Sequence, residues 1–288
     1  MSEKKFLVMG SAAAEGVPGY FCDCKLCRYA MKHGGKDVRM RTQYQLGDHV
    51  RIDFGPDNYA QELRYNIDSS QIKHLFITHS HIDHFVPDSL AYRRPGMSRV
   101  AEDNILNIYG GTDTMKKLND FFWTQFDFHG NYDFWRLKPN WIHHGSEVEI
   151  AEEDMTFVAL SADHMHENRL ATPLIYMIRW GEKYILVAND TGYFTDETWQ
   201  ALEERKWKFD LVMNDCTGGT FDIKAGHMSG SFVVETKKRL ESLGLIDSKT
   251  RYVINHFSHN CLSTHADLEK HFNPCGIEVG FDGMEIYL

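Results

Sequence analysis

No stretch of this 288-residue chain has the length and apolarity of a membrane span. The opening Met1-Ser-Glu-Lys-Lys-Phe-Leu-Val-Met9 is too short and too charged for a secretory signal. No low-complexity tract and no repeat of fixed period is visible. Nor is there a long Lys/Arg cluster. With 31 basic against 41 acidic residues the net charge is −10, so the basic stripe of a general nucleic-acid binder is missing. Arg93-Arg94 and Lys237-Lys-Arg239 read as solvated helix faces. This balance disfavours long polyanionic substrates, although bound cations supply positive charge locally. Cysteine is sparse, at six, and three of the six are clustered, which fits metal ligation in a reducing compartment better than a disulfide framework. The expected location is the cytoplasm, with no membrane partner.

At 42% hydrophobic residues, the chain can bury roughly three-quarters of its unfolded surface in one large domain, here residues 1–288. Strand-like runs fall at Phe6–Met9, His49–Phe54, Leu75–Thr78, Ile105–Tyr109, Met155–Leu160, Leu174–Arg179, Tyr184–Ala188, Leu211–Asn214, Tyr252–Asn255 and Glu285–Leu288. Helical patterns fit Thr112–Trp123, Asp196–Lys206, Gly230–Leu243 and His265–Phe272, with Asp196 as a cap and Gly244 as a stop.

Against that background, Thr78-His79-Ser80-His81-Ile82-Asp83-His84 stands out, with three imidazoles and a carboxylate within six residues. It follows the apolar run His74-Leu-Phe-Ile77 and precedes the helix-like Val86–Tyr92. An extended backbone would project His79 and His81 from one face, with Asp83 and His84 at the turn. One metal would then receive two imidazoles, and a second a carboxylate and an imidazole. Imidazole suits zinc, iron or manganese, and carboxylate the harder ions. A His-rich surface loop without metal is the bland alternative.

This His-x-His-x-Asp-His pattern after a strand resembles the metallo-β-lactamase superfamily, and the resemblance extends along the chain. It implies that His164, in Leu160-Ser-Ala-Asp-His164, is the third imidazole of the first metal. It implies that Asp190, at the end of Tyr184-Ile-Leu-Val-Ala-Asn-Asp190, bridges both metals, and that His256, after Tyr252-Val-Ile-Asn255, completes the second. Asp53 matches the family's early strand-end aspartate and is expected to orient a ligand imidazole; Asp215 is expected to play a similar supporting part. The fold implied is α/β, an αββα sandwich of two sheets flanked by helices, and the strand-rich pattern with helices in both halves agrees. Ligands drawn from both halves argue for one domain.

Near the amino end, Cys22-Asp-Cys24-Lys-Leu-Cys27 presents three thiols too close to bridge one another but able to converge on one soft cation. Structural zinc takes four Cys/His ligands, and His259 is the candidate for the fourth. The combination resembles the subgroup containing the cyclic phosphodiesterase of carbon–phosphorus lyase pathways and the pyrroloquinoline quinone biosynthesis B protein. In the former, an extra zinc is held by three such cysteines and a late histidine. Free or redox-active thiols are the alternative. Cys216, Cys261 and Cys275 read as buried apolar residues.

In related phosphodiesterases a His-Met unit contributes an active-site histidine that is not a metal ligand; here that is His227, in Gly226-His-Met-Ser229, just before a helix N-terminus that also suits phosphate. A helix-entry histidine without substrate contact is the alternative. The expected activity is hydrolysis of a small phosphodiester, cyclic or linear. A water held between two zinc or manganese ions would attack in line, while His227 donates to the phosphoryl oxygen or the leaving alkoxide. Other chemistries of the same fold are the runner-up: quinone-cofactor biosynthesis, tRNA 3′ processing, or ester or lactam hydrolysis. A redox diiron site fits less well, because His81 stands where flavodiiron proteins place an acidic ligand. A non-catalytic metal-binding protein is the third reading. The aromatic segment Phe121–Trp135 is expected to pack on its own sandwich, with a cleft cap or a homodimer interface as alternatives. His33, His49, His74, His129, His143, His144, His166, His265 and His271 are expected to be structural or superficial.

Overall fold

The computed structural model describes residues 4–164 and 171–288, so His166 lies outside it. The first half of the chain lays down β1 (Lys5–Gly10), β2 (Gln43–Leu46), β3 (Val50–Ile52), β4 (His74–Phe76), β5 (Leu106–Gly110) and β6 (Leu137–Trp141). The second half adds β7 (Glu147–Ile150), β8 (Met155–Ser161), β9 (Leu174–Trp180), β10 (Lys183–Ala188), β11 (Leu211–Asp215), β12 (Arg251–Asn255) and β13 (Glu278–Val279). β14 (Met284–Tyr287) then returns to the first sheet and pairs antiparallel with β1, Lys5 opposite Tyr287. The sheets run β14-β1-β2-β3-β4-β5-β6 and β13-β12-β11-β10-β9-β8-β7.

Period-two alternation builds the layers. Met155, Phe157 and Ala159 of β8 point into the space between the sheets, where they meet Phe76, Tyr176 and Val187. Val158 and Leu160 point the other way, onto a second core beneath α4 (Asp196–Arg205), α5 (Ser231–Ser242) and α6 (His265–Phe272). The outer face of the first sheet carries α3 (Thr112–Gln125) through Met115, Leu118 and Phe122. Two smaller helices complete the set, α1 (Lys25–His33) and α2 (Asn58–Tyr65). Helices thus cover both outer faces, and the molecule is the expected αββα sandwich. Phe76 and Phe157 stack across the inter-sheet core at 3.7 Å, where truncating either to alanine would cost about 3–5 kcal/mol.

The aromatic segment packs on its own sheet: Phe122, Phe128, Tyr132 and Trp135 are buried together against Leu106 and Leu137. Three local expectations are corrected. The α4 cap is Thr195, whose hydroxyl accepts from the Thr198 N–H, with Asp196 already helical. The segment after the histidine motif is a 3₁₀ helix, Pro87–Arg93. Cys216 and Cys261 are buried, but Cys275 is exposed. Gly244 does stop α5, at φ +70°; its N–H reaches the Glu241 carbonyl and that of Leu245 the Leu240 carbonyl, a Schellman closure.

The parallel strands decide where a site can form. β3, β4, β5 and β6 run parallel, as do β10, β11, β12 and β13. β8 is antiparallel to β9, which is antiparallel to β10, so β8 ends on the same side as β10. The carboxyl ends of β3, β4, β8, β10, β11 and β12 collect along one edge of the sandwich. No helix among the described residues is long and apolar enough to cross a membrane.

Candidate metal centre

The motif after β4 does not continue as a strand. Residues 78–84 bend into a turn, with the N–H groups of His84 and Phe85 returning to the His81 carbonyl. The two imidazoles converge nonetheless: His79 Nε2 lies 2.9 Å from His81 Nδ1, and His164 Nε2 is 3.1 Å from that same atom. Asp190 Oδ2 approaches His79 Nε2 at 3.2 Å, closing a first group of four. A second group forms beside it. His84 Nε2 is 3.1 Å from Asp83 Oδ2 and 3.3 Å from His256 Nε2. Asp190 Oδ2 stands 3.1 Å from His84 Nε2 and 3.7 Å from His256 Nε2, so this one oxygen faces both groups.

These separations suit a cation. Nitrogen or oxygen ligands about 2.0–2.1 Å from a tetrahedral ion lie about 3.4 Å from one another. Orientation agrees, because four of the imidazoles have their far nitrogen held by an acceptor. His84 Nδ1 donates to Asp53 Oδ2 at 2.7 Å, and His164 Nδ1 to the Gly226 carbonyl at 2.8 Å. His256 Nδ1 meets Thr217 Oγ1 at 2.8 Å, and His79 Nδ1 meets Thr78 Oγ1 at 3.1 Å. Their near nitrogens therefore face the cluster, where each can take a proton or a cation. Lone pairs packed this closely repel unless a proton or a cation lies among them. Asp190 Oδ1 is in addition buried without an aligned hydrogen bond. The donor set fits two divalent ions.

The backbone also marks the place. Asp53, Asp190 and His256 follow β3, β10 and β12 with φ of 67°, 56° and 66°. Non-glycine residues pay about 1–3 kcal/mol for such conformations, and here three of them fall where side chains must turn inward.

Charge is concentrated. Burial would raise Asp83, but the His84 charge and hydrogen bonds from His256 and His84 hold it well below the usual carboxylate range. Asp190 is held low in the same way, against its burial, by His256, His227, His79 and His84. His79 is pushed down to about 3, first by burial and then by the His84 charge. His227 Nδ1 sits 2.9 Å from Asp190 Oδ1 and 3.8 Å from Asp215 Oδ2. Burial would lower it, yet those carboxylates hold it up to about 11. It lines a cavity of about 520 Å³ together with His81, Asp83, His164, Asp190 and His256, and is partly exposed there.

The thiols meet a histidine far away in sequence, 237 residues from Cys22 and 235 from Cys24. His259 Nδ1 lies 3.4 Å from Cys22 Sγ and 3.7 Å from Cys24 Sγ, and Cys27 completes the group. Cys24 caps α1 through the Cys27 N–H, and the Gly19 N–H donates to Cys27 Sγ at 3.2 Å. Gly19 is required, since a Cβ there would come within 2.6 Å of the His259 ring. Against burial, the Cys27 N–H and His259 bring Cys24 down to about 6, while burial pushes Cys27 up to about 12.

Sequence reasoning missed several supports. Thr78 donates to Asp53 at 2.9 Å, and Thr217 to Asp215 at 2.9 Å, tying each orienting aspartate to its histidine; position beside Asp or His in both motifs was the available signal. Asp113 and Lys117, one turn apart on α3, grip the motif loop from below. Asp113 accepts the Ser80 N–H at 2.9 Å and the Thr172 N–H at 3.1 Å. Lys117 Nζ donates to the Ser80 and Phe85 carbonyls at 2.7 and 2.6 Å. Nothing in the local sequence announces these two.

Two facing sheets with His and Asp side chains converging at their strand ends define the metallo-β-lactamase fold, whose members carry divalent metal ions. The chain belongs to the family described as the β-lactamase superfamily domain, which matches residues 49–257. It is similar to a crystal structure of a new diphosphatase from the PhnP family, with TM-score 0.73 and 22% identity over 99% of this chain and 97% of that one. It is also similar to zinc-bound PqqB from Methylobacterium extorquens, with TM-score 0.71 and 17% identity over 99% and 100% of the two chains. At these identities the likeness is one of fold. An octanoyltransferase of Porphyromonas gingivalis is 35% identical over 82 residues, 27% of this chain and 16% of that protein, so the chain spans only a small part of that relative.

Proposed function

We propose that the chain is a metal-dependent phosphodiesterase acting on a small phosphodiester, cyclic or linear. The observation that carries this reading is the shared carboxylate: Asp190 Oδ2 faces both His79 and His84 within 3.2 Å. His79, His81, His164 and Asp190 would hold one divalent ion, zinc or manganese, and Asp83, His84, His256 and Asp190 the other. Bound there, the pair would supply Lewis acidity and a water acidic enough to act near neutral pH. His227, on the cavity wall, donates a hydrogen bond to the phosphoryl oxygen or protonates the departing alkoxide. Asp53 and Asp215 keep His84 and His256 in the tautomer that offers Nε2. Cys22, Cys24, Cys27 and His259 form a structural zinc site, and a reducing compartment such as the cytoplasm keeps those thiols available.

The test is elemental analysis joined to turnover. Protein purified without chelator should hold about three ions per chain, two at the shared carboxylate and one at the thiols. With manganese or zinc it should hydrolyse bis(4-nitrophenyl) phosphate or a cyclic nucleotide and leave monoesters largely untouched. Asp190→Ala should abolish turnover and lower the metal content. Full metal loading without hydrolysis of any diester would favour a metal-binding protein and defeat the reading.

A further inference from the structure

The metal cavity has a wall that the proposed chemistry leaves unused. Besides the histidines and aspartates the cavity is lined by Ala13, Ala14 and Glu15 from the loop after β1, by Phe221 and Ile223, and by Ser258 and Asn260 after β12. Among the described residues that line the cavity there is no lysine and no arginine. The added charge on this wall is the Glu15 carboxylate. Its contacts are long: the Ser258 hydroxyl donates from 3.4 Å and the Asn260 amide from 3.3 Å. A carboxylate has room for about four hydrogen bonds, so Glu15 keeps acceptor capacity for a molecule in the cavity.

We propose that Glu15 is a specificity-determining residue: its carboxylate accepts a hydrogen bond from a hydroxyl or amine on the alcohol half of the substrate and turns away a second phosphate. This rests on the phosphodiesterase reading above. The metal side of the cavity receives the one negative charge of a diester. Near Glu15 a second phosphate would meet a like charge: the Arg41 guanidinium behind that loop is held by the Ala14 carbonyl at 3.1 Å and by Asp57 at 2.8 Å, and the described lining holds no lysine or arginine to offset it. A neutral polyol or a nucleoside suits the same wall, with Phe221 and Ile223 offering apolar contact. The substrate class is therefore a singly charged phosphodiester of a hydroxyl-bearing alcohol, rather than a pyrophosphate or a multiply phosphorylated sugar.

The test compares uridine 2′,3′-cyclic phosphate with its 5′-phosphorylated form, using manganese-loaded full-length protein. The wild type should prefer the unphosphorylated substrate by about 10-fold or more in kcat/KM, the scale of two like charges in a partly solvated cleft. Glu15→Gln, which keeps size and polarity, should bring that ratio close to one, and Glu15→Lys should invert it. Metal content by elemental analysis should match the wild type in both. An unchanged ratio in Glu15→Gln would overturn the assignment. Calorimetry with uridine 3′-phosphate and uridine 3′,5′-bisphosphate reads the same preference without turnover. A chain that binds both yet cleaves neither diester would fail as a phosphodiesterase, leaving Glu15 decided by the affinities. Binding of neither nucleotide would overturn the proposal for Glu15.

Discussion

Single side chains at this site carry roles that separate experiments can pull apart. If His227 protonates the leaving group, His227→Ala should keep its metal yet lose about 10²–10⁴-fold in turnover number on alkyl diesters. The loss should shrink for nitrophenyl esters, whose leaving group needs no proton; equal loss on both would assign His227 to the phosphoryl oxygen instead. A second residue gives a pH signature away from the metal. Asp282 accepts from the Ser11 hydroxyl at 2.6 Å and the Met40 N–H at 2.7 Å, but burial still holds it up at about 6 against an ordinary 3.8. The folded state thus binds this proton more readily than the unfolded chain. Its contribution to stability is full below about pH 4 and is lost as pH rises through about 6. Asp282→Asn, uncharged throughout, should flatten that part of the profile, read as the difference in urea midpoint between the two proteins at pH 4.5 and 7. Parallel profiles would show that Asp282 titrates normally.

Elements rather than residues set the shape of the metal loop. α3 holds residues 80–85 through Asp113 and Lys117, and Asp113 also anchors Thr172, in the segment that leads into β9. Asp113→Asn or Lys117→Met should therefore weaken metal retention by about 10–100-fold, the usual scale for a lost supporting contact. Dialysis followed by elemental analysis, with the visible spectrum of a cobalt-substituted sample, would check this; unchanged loading and spectrum would make α3 a bystander. This is also the scale at which sequence reading stops. Strands with alternating or continuous apolar runs, such as Met155–Ser161 and Leu174–Trp180, announce themselves. β2 and β6 do not, since Gln43-Tyr-Gln-Leu46 and Leu137-Lys-Pro-Asn-Trp141 dilute the pattern with polar residues and a proline. β7 alternates but has only four residues, two of them exposed glutamates, and β13 has two residues. α1 and α2 give little signal because each is a short helix with few buried positions. The candidate ligands were legible because each closes a strand or a compact motif, whereas Asp113, Lys117 and Glu15 act through spatial neighbours far away in sequence.

At the scale of the whole molecule, the thiol group ties the beginning of the chain to its last third. A zinc shared by Cys22, Cys24, Cys27 and His259 would also brace His256, three residues before His259. Cys24→Ala should lower the melting temperature and release one zinc, with activity in the surviving folded fraction reduced only indirectly. Unaltered stability and zinc content would refute the site. The closing of the first sheet has a further consequence, for synthesis. β14 pairs with β1 across about 280 residues. At roughly 5–20 residues per second on the ribosome, β1 waits on the order of tens of seconds for its partner. Throughout that interval one side of β1 offers unpaired N–H and carbonyl groups to any other nascent strand. The thiols near it wait a little less for His259. Slow translation or crowded polysomes should then favour misassembly of this chain, and a chaperone that shields β1 should raise its yield more than one acting after release.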